Sequence, residues 1–219
     1  MEFDLLFFAI AIPAVLFAGI SKGGFGSAAA FAASPFLALI LEPAQAVAIM
    51  LPLLIIMDFT AVRVYWKKWD TRIAKILIIG GVPGAIIGAV LVSIANPDVF
   101  RFLIGLIALG FVIFQIAKQR KWLKPSTKPI SDRAGYLFGV GAGFTSFIAH
   151  AGGPVTSVYM LSQNLSKLDF QATTVVVFWI SNLLKLALYL WLGFLSWDTA
   201  LADLYLAPFA IIGRISAFG

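Results

Sequence analysis

The sequence predicts an all-α polytopic membrane protein. It is built from two inverted-topology repeats, each opening on a broken or re-entrant helical hairpin at a Gly-Gly break. Three observations predict this. First, 61% of the 219 residues are hydrophobic and only 12% are charged, against about 45–50% and 25% in a soluble domain. Mean hydropathy is +0.99, and a globule of this length cannot hide so much apolar surface. Second, 11 of the 16 basic residues fall in two short stretches, 63–75 and 118–133, the bias of cytoplasmic loops between spans. Third, two polar, small-residue breaks interrupt long apolar runs: GISKGGFGS at 19–27 and GFTSFIAHAGGP at 143–154. Non-helical backbone within a membrane survives only inside protein or beside a water-filled cavity, so such breaks mark transport sites.

In chain order, residues 3–20 form an apolar segment containing Pro13, preceded by the acidic start Met1-Glu2-Phe3-Asp4. A cleavable signal begins with a basic region, so this segment is expected to stay in the mature protein. The first break covers 21–27, and an Ala-rich apolar piece runs from 28 to Leu41. Glu42-Pro43 turns, and 44–62 is long enough to span, since crossing takes roughly 20 residues. Arg63 to Lys75 is a basic loop whose Tyr65, Trp66 and Trp69 suit the headgroup region. Residues 76–95 span again, with Gly80, Gly84 and Gly88 as a small-residue packing stripe. Asn96-Pro97-Asp98 turns into a span at 99–117, and 118–133 reads as the linker between halves.

The second half repeats the plan. Residues 134–149 are apolar and Gly-rich, the break covers 150–154, and a short piece at 155–161 leads to a polar loop. A long span follows at 172–193, then a loop marked by Trp197, Asp198 and Asp203, and a last span beginning at 204. The long spans of the halves match: Asp58-x6-Tyr65 against Asn182-x6-Tyr189. The units are therefore residues 1–117, a basic cytoplasmic linker at 118–133, and residues 134–219, a second repeat that stops short at its C-terminus. If each hairpin returns to its starting side, the first half has three crossings and the second half enters from the opposite side. The N-terminus then lies outside, both basic loops lie inside, and six of the ten acids fall outside.

Composition also excludes functions. No cysteine is present, and the single histidine leaves no clustered metal ligands, so neither metal nor cofactor is expected. The net charge of +6 follows span topology and is not a nucleic-acid footprint. No G-x4-G-K-[ST] motif for nucleotide phosphates occurs.

Candidate substrate-binding residues lie at the breaks and in the long second-half span. Lys22, Gly23, Gly24, Gly26 and Ser27 come from the first break; Thr145, Ser146, Gly152 and Gly153 come from the second. Glycines there allow close backbone approach to a ligand. Helices starting at Gly24 and Gly153 would aim unsatisfied N–H groups and their positive ends at an anion. Packing at small residues is the competing reading. Lys22 at a site competes with Lys22 at the cytoplasmic surface. Ser181, Asn182, Lys185 and Tyr189 share one helix face, and a charge in mid-span is a functional candidate, as is a structural Lys185–Asp58 pair. Asp58 and His150 are candidate coupling residues, since histidine titrates near neutral pH. Against this, Asp58 is near enough to the end of its span to reach the interface, and His150 could serve only to bond a backbone carbonyl.

The chain resembles the sulfite exporter TauE/SafE family, also called the toluene sulfonate uptake permease family. In the first half, Ser21-Lys22-Gly23-Gly24-Phe25-Gly26 with Pro35, Leu51-Pro52-x5-Asp58-x2-Ala61 and Tyr65-Trp66-x2-Trp69-Asp70 carry the resemblance. In the second half, Gly143-Phe144-x-Ser146, Ala149-His150-Ala151-Gly152-Gly153-Pro154 with Tyr159, and Asn182-x2-Lys185-x3-Tyr189-x3-Gly193 carry it. The resemblance implies a multi-pass protein of the inner membrane that moves small sulfur-containing anions such as sulfite, thiosulfate or organosulfonates. Two features depart from the family pattern: Ser162 stands where a proline is common, and the chain stops at Gly219, roughly 30 residues early, or more than one span. The expected function is an ion- or proton-coupled, alternating-access transporter whose partners are a small anion and the bilayer. The alternatives are an intramembrane enzyme or assembly subunit using a Ser181/Lys185 pair, and an anion channel.

Overall fold

The computed structural model describes residues 1, 3–24, 33–120, 122 and 129–216. Among them the chain is all helix and connection: α1 Leu5–Gly24, α2 Ala33–Leu37, α3 Pro43–Val64, α4 Thr71–Ile94, α5 Pro97–Gln119, α6 Asp132–Ala149, α7 Gly152–Leu161, α8 Lys167–Trp191 and α9 Trp197–Ile215. Five of them (α1, α3, α4, α5 and α8) are long and apolar enough to cross a membrane. The rows of Ile, Val, Leu and Phe exposed on α4 and α5 are what a lipid-facing surface carries, so the chain is an integral membrane protein. Trp66 and Trp122 are exposed near one end of the bundle, and Trp191 and Trp197 near the other, as interfacial aromatics are.

Helix starts follow local chemistry. Asp70, Asn96, Ser131, Ser166 and Ser196 each accept a hydrogen bond from a first-turn N–H, satisfying donors that the helix leaves open. Pro43 and Pro97 sit in the first turn of α3 and α5, where a missing N–H costs nothing.

Several boundaries differ from the sequence expectation: α4 and α8 begin at Thr71 and Lys167, inside stretches expected to be loops. Helix α1 runs through Ser21–Gly24, so Gly24 closes a helix where the sequence suggested a start; Gly26 and Ser27 lie outside the described residues. The second break is tighter than 150–154, because α7 already begins at Gly152. Trp197, Asp198 and Asp203 belong to α9, which Ser196 starts through a reciprocal bond pair with Thr199.

Two networks fix the ends of the bundle. At one end the Met1 amino group bonds the Asp198 carboxylate at 3.1 Å, and Arg101 donates to the carbonyls of Ala38 and Leu41 at 3.2 and 3.4 Å. Met1, Leu41, Glu42 and Arg101 line one pocket there, so α1 and α3 start at the same end. At the other end Arg72 bonds Asp132 at 2.8 Å and Gln163 at 3.1 Å, which joins the start of α6 to the turn after α7.

Two helix pairs make the most extensive contacts in the bundle. Helix α6 lies along α4, and α1 lies along α9, each in parallel. The Gly stripe explains the α4–α6 contact: a Cβ on Gly80 or Gly84 would overlap the carbonyl oxygens of Tyr136 or Val140, and one on Gly88 would press on Phe147. Gly19 and Gly213 do the same for α1 and α9, against the backbones of Ala210 and Leu16. Van der Waals contact at this range drives helix association in lipid, where burial of apolar surface does not.

Gly84→Leu is expected to cost about 3 kcal/mol or more, the upper range of overpacking, because its neighbour is backbone and cannot yield. A Cβ placed on Gly105 would have no heavy atom within 4 Å, so Gly105→Leu is expected to leave the thermal midpoint in detergent within a degree or two of the parent. Equal midpoints for the two variants would refute this account of the α4–α6 contact.

Candidate functional site

The polar face of α8 meets the middle of the bundle. Asn182, Lys185 and Tyr189 occur at i, i+3 and i+7 and are 2%, 1% and 0% exposed, so one stripe of the helix is wholly inside protein. Opposite it, Asp58 of α3 is 2% exposed, which disfavours the competing reading that it reaches the interface. Lys22, in the last turn of α1, is buried with it and not at the surface.

Two clusters form, and they touch. In the first, Lys22 bonds one oxygen of Asp58, and also the Leu54 carbonyl at 3.3 Å. The other Asp58 oxygen accepts from the Asn182 amide at 2.6 Å. Asp58 and Asn182, whose spacings to Tyr65 and Tyr189 match in the sequence, thus bond one another where α3 meets α8. Arg214 of α9 is also buried and acts electrostatically on both Asp58 and Lys22. The sequence reading missed it. Its signal was available: one arginine in the last apolar run, beside Gly213.

In the second cluster Lys185 donates to the Ser146 carbonyl at 3.2 Å, the Ser146 hydroxyl at 3.1 Å and His150 Nδ1 at 2.7 Å. An ammonium has three donors, and all are used, none on a carboxylate. The Lys185–Asp58 pair weighed from sequence is therefore not made. His150 Nε2 lies 2.9 Å from the Val47 carbonyl oxygen, which only accepts, so Nε2 carries a proton. Tyr189 donates to the Phe147 carbonyl at 2.6 Å, satisfying one of the carbonyls left open at the end of α6.

His150 is placed by the break itself. It closes α6 with φ 53° and ψ 23°, the left-handed region where histidine is tolerated better than bulky residues. That reversal turns the chain into α7 within two residues. Gly152 permits the turn to pack: a Cβ there would stand 2.8 Å from the Ala142 carbonyl oxygen. No side chain caps the start of α7, and Gly153 faces the cluster, so the positive end of a helix adds to the lysines.

Lys22, Leu54, Ser146, His150, Gly153, Phe178, Asn182 and Lys185 enclose a cavity of about 20 Å³. One water needs roughly 10–15 Å³, so this conformation has no room for a sulfur oxyanion. Ser146 and Lys185 also border a mainly apolar recess of about 280 Å³ between α4, α6 and α8.

Of the site residues expected from sequence, Lys22, Ser146, Gly153, Asn182 and Lys185 surround this cavity, as does His150. Asp58 stands behind Lys22 and Asn182, and Gly152 supports the turn. Thr145 and Ser181 are not brought in. The Thr145 hydroxyl bonds back to the Gly141 carbonyl at 2.8 Å, and the Ser181 hydroxyl to the Val177 carbonyl at 2.7 Å. Such self-satisfaction is the usual fate of hydroxyls within helices. Ser181 and Lys185, the pair on which an enzyme reading rested, border the same recess but share no hydrogen bond among the described contacts. Gly23 and Gly24 end α1. Among the described residues no group of acids and histidine could hold a metal ion.

A family model described as "Sulfite exporter TauE/SafE" matches residues 11–217. No curated protein and no solved structure matches the chain.

Proposed function

Because the chain belongs to the sulfite exporter TauE/SafE family, a family of membrane transporters and not of enzymes, we propose that it carries a small sulfur-containing anion across the inner membrane. Sulfite, thiosulfate or an organosulfonate would be the cargo, and alternating access the mechanism. The observation that carries this reading is the charge balance inside the bundle: among the described residues, Lys22 and Lys185 are both buried beside one small cavity, and the buried carboxylate of Asp58 is bonded to Lys22 and not to Lys185. A surplus of buried cations in a membrane is costly and marks an ion pathway. Lys185 and Lys22 would seat the anion, Ser146 and Asn182 would donate to its oxygens, and the start of α7 would add its partial charge.

Inverted repeats would supply the motion. In support, each half's opening hairpin begins and ends at one end of the bundle, the two at opposite ends, and the α1–α9 and α4–α6 contacts mirror each other. The cavity of about 20 Å³ favours a carrier that closes over its cargo above a channel with a standing pore. Stretches 63–75 and 118–133 would be cytoplasmic, with the N-terminus outside.

The test is uptake of labelled sulfite, thiosulfate, sulfoacetate and methanesulfonate into proteoliposomes, with acetate as control. At least one sulfur anion should enter saturably while acetate does not, and at 100 times Kd it should stabilise the protein by about 2.7 kcal/mol. Linear, unsaturable entry would favour a channel, and no entry for any sulfur anion would sink the proposal.

A further inference from the structure

We infer that the Lys185–His150 contact is the coupling element of this site: the pair shares one proton in the conformation described and takes up a second together with the anion, making the transporter a proton–anion symporter. The inference rests on the transport reading and concerns what travels with the anion.

Geometry fixes the Nε2 proton and limits the Nζ–Nδ1 contact to one hydrogen. His150 Nε2 must donate to the Val47 carbonyl oxygen, 2.9 Å away, so it keeps its proton in either charge state. Between Lys185 Nζ and His150 Nδ1, 2.7 Å apart, there is room for one hydrogen. With Lys185 as the ammonium, the pair holds one positive charge on whichever nitrogen keeps that hydrogen, and its titration belongs to both residues together. A second proton would put two N–H groups head to head and two like charges side by side. That state is disfavoured unless something negative lies between them.

The anion provides that something. When an oxyanion approaches, Lys185 exchanges its bond to Nδ1 for one to the anion. The Nδ1 lone pair is then released and takes a proton from the aqueous side open at that moment. The new Nδ1–H becomes a second donor to the anion. On the other side the anion leaves, the Nδ1 proton follows it, and Lys185 re-forms its bond to the bare nitrogen. Proton and anion thus favour each other's binding, and by linkage each must strengthen the other equally.

The surroundings of His150 leave this role to it. From α8 it faces Lys185 and the Tyr189 ring, whose centroid is 6.2 Å away; from α1 it feels Lys22; from α3 it meets the Val47 carbonyl. Asp58 is the carboxylate of the neighbouring cluster, and Lys22 and Asn182 occupy both its oxygens. Protonating it would break an ion pair and present a donor to the Asn182 amide.

The measurement is anion affinity against pH for the intact protein in detergent, using whichever of thiosulfate, methanesulfonate and sulfite the wild type transports, with sulfite's own protonation subtracted. Wild-type Kd is expected to rise about tenfold per pH unit on the alkaline limb, the signature of one proton bound per anion. In proteoliposomes with the potential clamped by potassium and valinomycin, an inside-alkaline gradient of one unit should give about tenfold accumulation. His150→Gln is the discriminating variant: its amide can donate to Val47 and accept from Lys185 but cannot take up a proton. Whatever rate it retains should be indifferent to the gradient, and its Kd should not vary with pH. A flat wild-type profile overturns the inference even if the glutamine variant does not fold. A glutamine variant that keeps the slope overturns it too, as does a slope lost in Asp58→Asn and kept in His150→Gln, which would move the proton to Asp58. If no sulfur anion is transported at all, the transport reading fails first and takes this one with it.

Discussion

Asp58→Ala is expected to lower stability by about 3–5 kcal/mol, the cost of breaking a buried ion pair by removing one member. Among the described residues the Lys22 ammonium would keep the Leu54 carbonyl but lose its carboxylate, Asn182 would lose its acceptor, and Arg214 would lose the attraction of Asp58. At this chain length about 2–4 °C of thermal midpoint accompanies each kcal/mol, so the drop in detergent should be about 10 °C. Lys22→Met should cost less, because Asp58 keeps Asn182 on one oxygen and the field of Arg214. The double variant Lys22→Met/Asp58→Leu should regain most of the loss, since an apolar pair of similar volume replaces two compensated charges at little net cost. Midpoints that fall additively across the three variants would show that the pair is not coupled and that the geometry at α1–α3 is wrong.

That cluster also shows how far the sequence could be read. The membrane class, the spans and the Gly stripe are local properties of composition and period, and α3, α4, α5, α6 and α8 lie close to where these put them. The Asp58/Asn182 match between halves was visible as spacing, but that the two residues bond each other was not, because contact at a crossing depends on how α3 and α8 are placed. Lys22 was ambiguous for the same reason: a span just before it is compatible with a surface lysine, and only the position of α3 decides. Thr145 and Ser181 looked like donors by residue type, yet each bonds its own helix, a choice made by rotamer and invisible in spacing. Arg214 carries an intramembrane signal as the one arginine of the last apolar run, but only the packing of α9 against α3 brings it near Asp58. The turn at His150 was legible as a break but three residues too wide, since its left-handed residue is a histidine and the glycines that follow it already belong to α7.

Lys185→Met is expected to abolish sulfur-anion uptake, by at least about a hundredfold, while leaving the protein as stable as before or more so. The reasoning turns on what faces the ammonium. Lys22 has a carboxylate; Lys185 has a carbonyl, a hydroxyl and a ring nitrogen. These satisfy its three donors without neutralising its charge, so the cost of taking that charge out of water is only partly recovered. A methionine of similar length forfeits the hydrogen bonds but also removes the desolvation cost, and buried ions replaced by fitting apolar groups often gain about 1–4 kcal/mol. A charge kept at a thermodynamic loss is what a site built for an anion requires: the counter-charge arrives with the substrate. Lys22 and Lys185 should therefore separate in a paired measurement of midpoint and uptake. Lys22→Met should lose stability as well as uptake, and Lys185→Met should lose uptake alone. A Lys185→Met protein that melts as low as Asp58→Ala, or that still accumulates the anion, would mean that Lys185 is a structural tie between α6 and α8 and that the anion is held elsewhere.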